Sequence, residues 1–157
     1  MKNEELKSLL QEGESERLEF KTSLKLIDKI GETISAFSNS AGGIVLIGLS
    51  DKGSVLGVTI GANTLEELAN YIKRNTDPPV YPSIKVENAG DEQVIKIEVA
   101  AQAEKPVFFK GHAYKRVGKT SLELTSSEIR KMAKESGDKV YWDEKPCAGA
   151  TLDDIDE

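Results

Sequence analysis

The chain has 157 residues, of which 38% are hydrophobic, and a formal net charge of −6. That is room for one domain, or one domain and a tail, with apolar content enough for one core. No run of 18 apolar residues is present to span a bilayer, Met1 to Gly13 lacks the apolar centre of a signal peptide, and the single cysteine, Cys147, excludes an internal disulfide or a cysteine-only metal site, so a cytoplasmic protein without membrane contact is expected.

Leu6, Leu9 and Leu10 fall at helical spacing and predict a first helix ending at Gly13. From Arg17 to Lys21, Leu18 and Phe20 alternate with Arg17, Glu19 and Lys21, the pattern of a short strand. Alternation turns Glu19 away from Phe20, so its carboxylate has no need to be buried. Leu26, Ile27, Ile30, Ile34 and Phe37 form the stripe of a helix over Leu24 to Phe37, which Ser38-Asn39-Ser40-Ala41-Gly42-Gly43 stops and turns. Ile44-Val45-Leu46-Ile47 is continuously apolar and rich in β-branched residues, as a buried central strand should be. Asp51-Lys52-Gly53-Ser54 predicts a hairpin into Val55 to Val58. Thr64, with Glu67 three residues on, reads as a capping box opening a helix over Thr64 to Tyr71 that ends before Asp77-Pro78-Pro79. Ile84 to Asn88 and Gln93 to Val99 alternate around Gly90-Asp91, and Val107 to Lys110 and Ala113 to Val117 around Gly111-His112. Thr125 to Glu128 caps a last helix over Ile129 to Lys134.

Hairpins dominate this order. It predicts an α+β fold, with a mixed, mainly antiparallel sheet and flanking helices. The pattern decays after Gly137, which sets a domain over residues 1–137 and an acidic linker or tail over residues 138–157. In that tail only Tyr141 and Trp142 offer much to pack back.

Two groups of residues carry candidate chemistry. Glu14, Glu19 and Asp51 flank the strand and turn elements that could bring them together, and clustered acids are costly unless water, a base or a cation compensates them. Three carboxylates can ligate Mg²⁺ or Mn²⁺, which prefer oxygen. Lys21 shares a strand face with Glu19 and can pair with the acids or contact a phosphate. The alternative is that Glu14 and Glu19 are ordinary surface acids and Asp51 a turn residue.

The second group is basic. Lys105 to Lys119 holds five bases, Lys105, Lys110, Lys115, Arg116 and Lys119, and no acid, whereas Trp142 to Glu157 carries six acids and one base. Alternation puts Tyr114 and Arg116 on one face, where they can stack a base and hold a phosphate, with the lysines as further phosphate contacts. A solvated basic hairpin is the plainer reading of the same run. Gly42-Gly43 follows a helix and leads into a strand, the reverse of a phosphate cradle, and Gly118-Lys119-Thr120 has Ala113 where a P-loop needs its first glycine. ATP binding is therefore not expected. His112, the only histidine, lies in a turn with no second histidine or cysteine near it and is read as non-catalytic.

Three blocks in order, E-S-E-R-L-E-F-K, then A-F-S-N-S-A-G-G-I-V-L-I-G-L-S-D-K-G-S-V-L-G-V, then K-P-V-F-F-K-G-H-A-Y-K-R-V-G-K-T-S, resemble the Schlafen AlbA_2 family over roughly Leu9 to Ala133. This family is described as DNA-binding and was formerly labelled a divergent AAA domain. The resemblance implies a nucleic-acid-binding domain, on DNA or RNA, of a prokaryotic transcriptional regulator. It also implies that the chain is the N-terminal part of a longer protein. In the animal Schlafen core, which cleaves transfer RNA, three acids of the module form the nuclease site, and by motif position they map onto Glu14, Glu19 and Asp51. A metal-dependent ribonuclease using Mg²⁺ or Mn²⁺ is thus the alternative function. That core has a second, related lobe, so an RNA grip by this chain calls for a homodimer or a partner. The third class is a protein-interaction or oligomerisation module working through edge strands and the acidic tail.

Overall fold

The computed structural model describes residues 3–144, with side chains over residues 4–137. In chain order the elements are α1 (Asn3–Glu12), β1 (Leu18–Lys21), a 3₁₀ turn (Leu24–Leu26), α2 (Ile27–Ser38), β2 (Gly43–Ile47), α3 (Thr64–Asn75), β3 (Thr76–Asp77), β4 (Ser83–Ala89), β5 (Glu92–Val99), β6 (Phe108–Phe109), β7 (His112–Val117), β8 (Thr120–Glu123) and α4 (Ser126–Glu144). The fold is α+β, as expected, but the strands divide into two four-stranded sheets, ordered β1-β2-β5-β4 and β3-β6-β7-β8. β1 and β2 run parallel, and the other pairings are antiparallel.

The first sheet is covered on both faces. Val45 and Ile47 of β2 join Ile95, Ile97 and Val99 of β5 against Ile30, Ile34 and Phe37 of α2 and Leu68 and Ile72 of α3. Leu46 points the other way, into a second cluster with Leu18, Phe20, Val94 and Leu6 of α1. A strand buried on both faces needs apolar residues at every position, which is why Ile44 to Ile47 shows no alternation.

α2 lies between the two sheets, and this decides its composition. The stripe facing the first sheet is large and aliphatic or aromatic, while Gly31, Ser35 and Asn39 lie toward the second. Phe109 presses so closely that a Cβ on Gly31 would sit 2.1 Å from its ring. Ser35 Oγ donates to Val107 O (2.8 Å) and accepts from Tyr114 N (3.1 Å). Asn39 Nδ2 donates to Val107 O and Tyr114 O (3.0 and 2.9 Å), and its Oδ1 accepts from Val107 N (2.7 Å). Ser40 Oγ accepts from Arg116 N (3.0 Å). The polar residues at the end of α2 thus act as an extra strand edge for β7 and the segment before β6.

Several sequence expectations need correction. No strand forms over Val55 to Val58: Gly48 O accepts from both Leu56 N and Gly57 N (2.7 and 2.9 Å), so the ladder cannot advance beyond a bridge between Leu49 and Val55. Thr64 is the first residue of α3 rather than its cap. Asn63 caps without a side-chain bond, and Thr64 Oγ1 accepts from Gly61 N (2.7 Å). β3 and β8 have no sequence counterpart, because a two-residue strand and the polar edge T-S-L-E carry no apolar alternation. The box over Thr125 to Glu128 does form, with Thr125 N donating to Glu128 Oε1 (2.9 Å) and Glu128 N to Thr125 Oγ1 (3.2 Å). α4 then runs on to Glu144, ten residues past Lys134, where the sequence pattern ended it. The side chains of Tyr141 and Trp142, and the segment holding Cys147, lie outside the described residues.

Gly42 fulfils the helix-stop reading. Its N–H bonds back to Phe37 O (2.9 Å) at φ +81°, and a Cβ there would meet Val99 O at 2.7 Å.

Candidate functional site

Where the two sheets meet, β1 presents Glu19 and Lys21 on the face opposite Leu18 and Phe20. Alternation assigned those faces correctly, but the face away from Phe20 is covered by β7 rather than by solvent. The Glu19 side chain is 11% exposed and that of Arg116 is 1% exposed. Burying a carboxylate there requires a counter-charge. Arg116 Nη2 supplies it at 2.8 Å from Glu19 Oε1, and Lys21 Nζ lies 2.9 Å from Oε2.

The rest of the guanidinium is also satisfied. Nε and Nη2 donate to Ser15 O (3.3 and 2.9 Å), Nη2 also to Leu18 O (3.2 Å), and Nη1 to Ser121 Oγ (3.1 Å). Its central carbon stands 5.0 Å from the Phe37 ring centroid, a cation–π contact. One side chain on β7 therefore ties together β1, the turn before it, α2 and β8.

Glu14 lies beside this knot. Its Oε2 accepts from Phe20 N (3.0 Å). Burial, together with the charges of Glu19 and the more exposed Asp51, pushes the Glu14 carboxyl above the ordinary glutamate value, against the lowering effect of the Phe20 N–H. The three acids expected to converge do lie near one another. An open metal site is not what they make, however, because each Glu19 oxygen already faces a fixed cation. Among the described residues, no group of three or more His, Cys, Asp or Glu is arranged to hold a metal ion. Mg²⁺ or Mn²⁺ therefore does not fit this donor set as it is built.

The basic segment divides in the same way. Tyr114 and Arg116 do share a face, but it is the inner one, toward α2, so the expected phosphate contact by Arg116 is corrected to a buried structural tie. Tyr114 is half-buried, and its phenol is pushed above the ordinary value by burial and by the charges of Glu32 and Glu123. Lys115, on the outer face, pairs with Glu128 of α4. Lys110 pairs with Asp28 (2.9 Å) and lies over the Tyr71 and Phe109 rings. Lys105 is half-buried and shares a cleft with Met132, Glu135 and Ser136 of α4. Lys119, in the β7–β8 turn, is exposed. His112 pairs with Glu123 at 2.8 Å on the surface.

Sequence reasoning missed the cations of α4. Arg130, Lys131 and Lys134 are exposed, and Lys131 lines a cleft with Lys115. The available signal was the charge count carried further: Lys105 to Lys134 holds eight Lys/Arg and two acids, a net of +6 in a chain of −6. It also missed the partnership of Glu19 with Arg116. An acid alternating with apolar residues beside an all-apolar strand signals that a cation must come from elsewhere in the chain.

Among the described residues, no helix is long and apolar enough to cross a membrane. No match was found among the curated proteins compared. Of solved structures, the DIP2311 protein from Corynebacterium diphtheriae is similar at 20% identity and a TM-score of 0.63, with 83% of this chain and 28% of that one covered. The chain thus spans less than a third of that protein's length. The N-terminal domain of a protein from Nitrosomonas europaea, described as related to the ATP-dependent DNA helicase RecG, is similar at 25% identity and a TM-score of 0.56, with 76% of this chain and 93% of that domain covered. The profile of the Schlafen AlbA_2 family matches residues 14–125, and the chain belongs to that family.

Proposed function

We propose that this chain is a cytoplasmic nucleic-acid-binding domain of a transcriptional regulator, and that it binds through the outer face of β7 and β8 together with α4. The observation that carries this reading is a group of exposed cations, Lys119 in the β7–β8 turn and Arg130, Lys131 and Lys134 on α4, beside Lys115, which shares a cleft with Lys131. Lys115, Lys119, Arg130, Lys131 and Lys134 are the phosphate contacts, with Lys105 at the margin. The family and the helicase-related neighbour support the same class of partner. Arg116 acts by holding β7 in place rather than by touching the ligand.

The test is anisotropy of labelled duplex DNA and of labelled RNA across a salt series. Affinity falls steeply with salt, and Lys119→Ala and Lys131→Ala each lower the slope by about 0.9 on duplex DNA. Binding at low salt that neither variant weakens would overturn the assignment of the face. Cleavage that needs Mg²⁺ or Mn²⁺ and disappears in Asp51→Asn would restore the nuclease reading, with a rearranged Glu19. No binding, together with a mass that rises with concentration, would leave a protein-interaction module.

A further inference from the structure

Beyond the short pairing of β6 with His112 and Ala113, β7 continues as half of a two-stranded ribbon. From Tyr114 to Val117 its strand partner is β8, over Thr120 to Glu123. The inner side of the ribbon is committed to the body of the protein through Arg116, which reaches Glu19 and Leu18 O of β1. By alternation the outer side carries Lys115, Val117, Thr120 and Leu122. The single acid of the ribbon, Glu123, stands opposite Tyr114 on the inner side.

Val117 and Leu122 are 48% and 44% exposed and lie diagonally across the ribbon from each other. Leu26, Leu56 and Tyr81, the other large apolar side chains exposed among the described residues, are scattered over separate segments. Past Leu122 the strand direction continues under α4: Leu124 N donates to Ala113 O (2.8 Å), and the Leu124 side chain is buried in a cleft it shares with Lys131 and Met132. The helix thus covers Leu124 and leaves Leu122 and Val117 bare. Cations flank the bare pair, Lys119 in the turn at the tip and Arg130, Lys131 and Lys134 on α4. Among the described residues, none of these four makes an ion pair. Phosphate contacts account for the cations but not for two uncovered aliphatic side chains beside them.

Taking this face as the nucleic-acid surface, the reading on which the inference rests, we propose that the outer side of the ribbon lies in the major groove of B-form DNA, with Val117 and Leu122 against the C5-methyl groups of thymine. The dimensions agree. Tyr114 to Val117 is about 13 Å long at about 3.3 Å per residue, and two strands about 4.8 Å apart fit a groove about 12 Å wide. The thymine methyl is the apolar group that a base pair presents there, so it is the feature an aliphatic side chain can read. The major groove of A-form RNA is deep and narrow and does not admit the ribbon. Lys119 at the tip and the cations of α4 then meet the phosphates that border the groove, fixing position, while Val117 and Leu122 supply the preference for sequence.

The probe is one A·T-rich duplex sequence made twice, once with thymine and once with deoxyuridine in its place, and titrated with the whole chain by anisotropy over a salt series. The two duplexes carry the same phosphates and differ in the methyls. The thymine duplex binds more tightly, by about fourfold for each methyl covered, and the two salt slopes are equal. The variant Val117→Ser with Leu122→Ser binds the thymine duplex as weakly as the parent binds the uracil duplex and keeps the slope. Lys119→Ala weakens both duplexes alike and keeps the preference. Equal affinity of the parent chain for the two duplexes, with a steep salt slope, overturns the proposal and leaves the basic face standing; this comparison needs no variant to fold. A thymine preference that survives the double variant overturns the assignment to Val117 and Leu122, and an A-form RNA duplex bound as tightly as the thymine duplex overturns the choice of groove. No binding to any duplex overturns the reading of the face, and the proposal with it.

Discussion

Replacing Arg116 by Met tests whether this residue is a structural tie or a ligand contact. The substitution keeps much of the apolar stem and removes the guanidinium. Glu19, 11% exposed, is left with Lys21 alone, and the carbonyls of Ser15 and Leu18 keep only the backbone bonds they exchange with each other. Breaking a buried pair from one side costs about 3–5 kcal/mol, and the remaining Lys21 argues for the lower end. For a domain of this size that corresponds to a fall in Tm of about 10–15 °C. Arg116→Lys keeps the charge but cannot reach all the acceptors, and costs about 1–2 kcal/mol. Glu19→Gln combined with Arg116→Met removes the stranded carboxylate but leaves Lys21, 15% exposed, without its partner, so the double variant recovers only part of the loss. Urea and thermal melts of the four chains provide the cycle, and anisotropy of folded Arg116→Lys on DNA provides the functional arm. An Arg116→Met chain melting within about 2 °C of the parent, together with a lowered salt slope for Arg116→Lys, would refute the argument and return Arg116 to the ligand surface.

Further outcomes follow from the same geometry. Because burial and neighbouring acids raise the Glu14 carboxyl, the proton is held more tightly in the folded state; stability from this group is full below the unfolded value of 4.5 and is lost as pH rises through the folded one. Glu14→Gln, which keeps an acceptor for Phe20 N, therefore stabilises the chain in melts near neutral pH, and the gain vanishes in acid. Glu128 shifts the other way: bonds from Lys115 and Thr125 hold its carboxyl at about 2, so a carbon-detected titration shows it ionised well below the other glutamates, and its contribution fades as pH falls from 4.5 toward that value. Gly31→Ala drives a methyl into the Phe109 ring and costs about 1–3 kcal/mol in urea melts, and Phe109→Leu in the same chain recovers part of it.

What could be read from sequence was local. The stop of α1, the apolar run of β2 and the capping box of α4 depend on neighbours within a few residues, and each forms where expected. Period was also readable, since Glu19 with Lys21 and Tyr114 with Arg116 do share faces. Phase was not. Which face of β7 turns inward is decided by bonds that Tyr114 N and Arg116 N donate to Ser35 and Ser40, 79 and 76 positions away, and no window along the chain contains that information. Glu19 was misjudged for the same reason: its strand lies in a sheet covered on both sides, a property of the assembled fold rather than of five residues. The basic hairpin shows the same limit, because its charge count does not distinguish the inward Tyr114 and Arg116 from the exposed Lys119.

Asn39 bears on how the protein ages. An asparagine followed by serine deamidates when the next backbone nitrogen attacks its side-chain carbonyl carbon. Here that nitrogen, of Ser40, is engaged with Phe37 O (3.1 Å), and the amide is pinned by Val107 and Tyr114. The folded chain thus protects the bond chemically. Once the chain opens and the amide is lost, the aspartate that replaces it would turn a carboxylate oxygen toward two carbonyl oxygens that the amide held within 3.0 Å. Molecules that had deamidated while open would then be unable to close the seam between the sheets, so an excursion long enough for that reaction leaves a lasting chemical record.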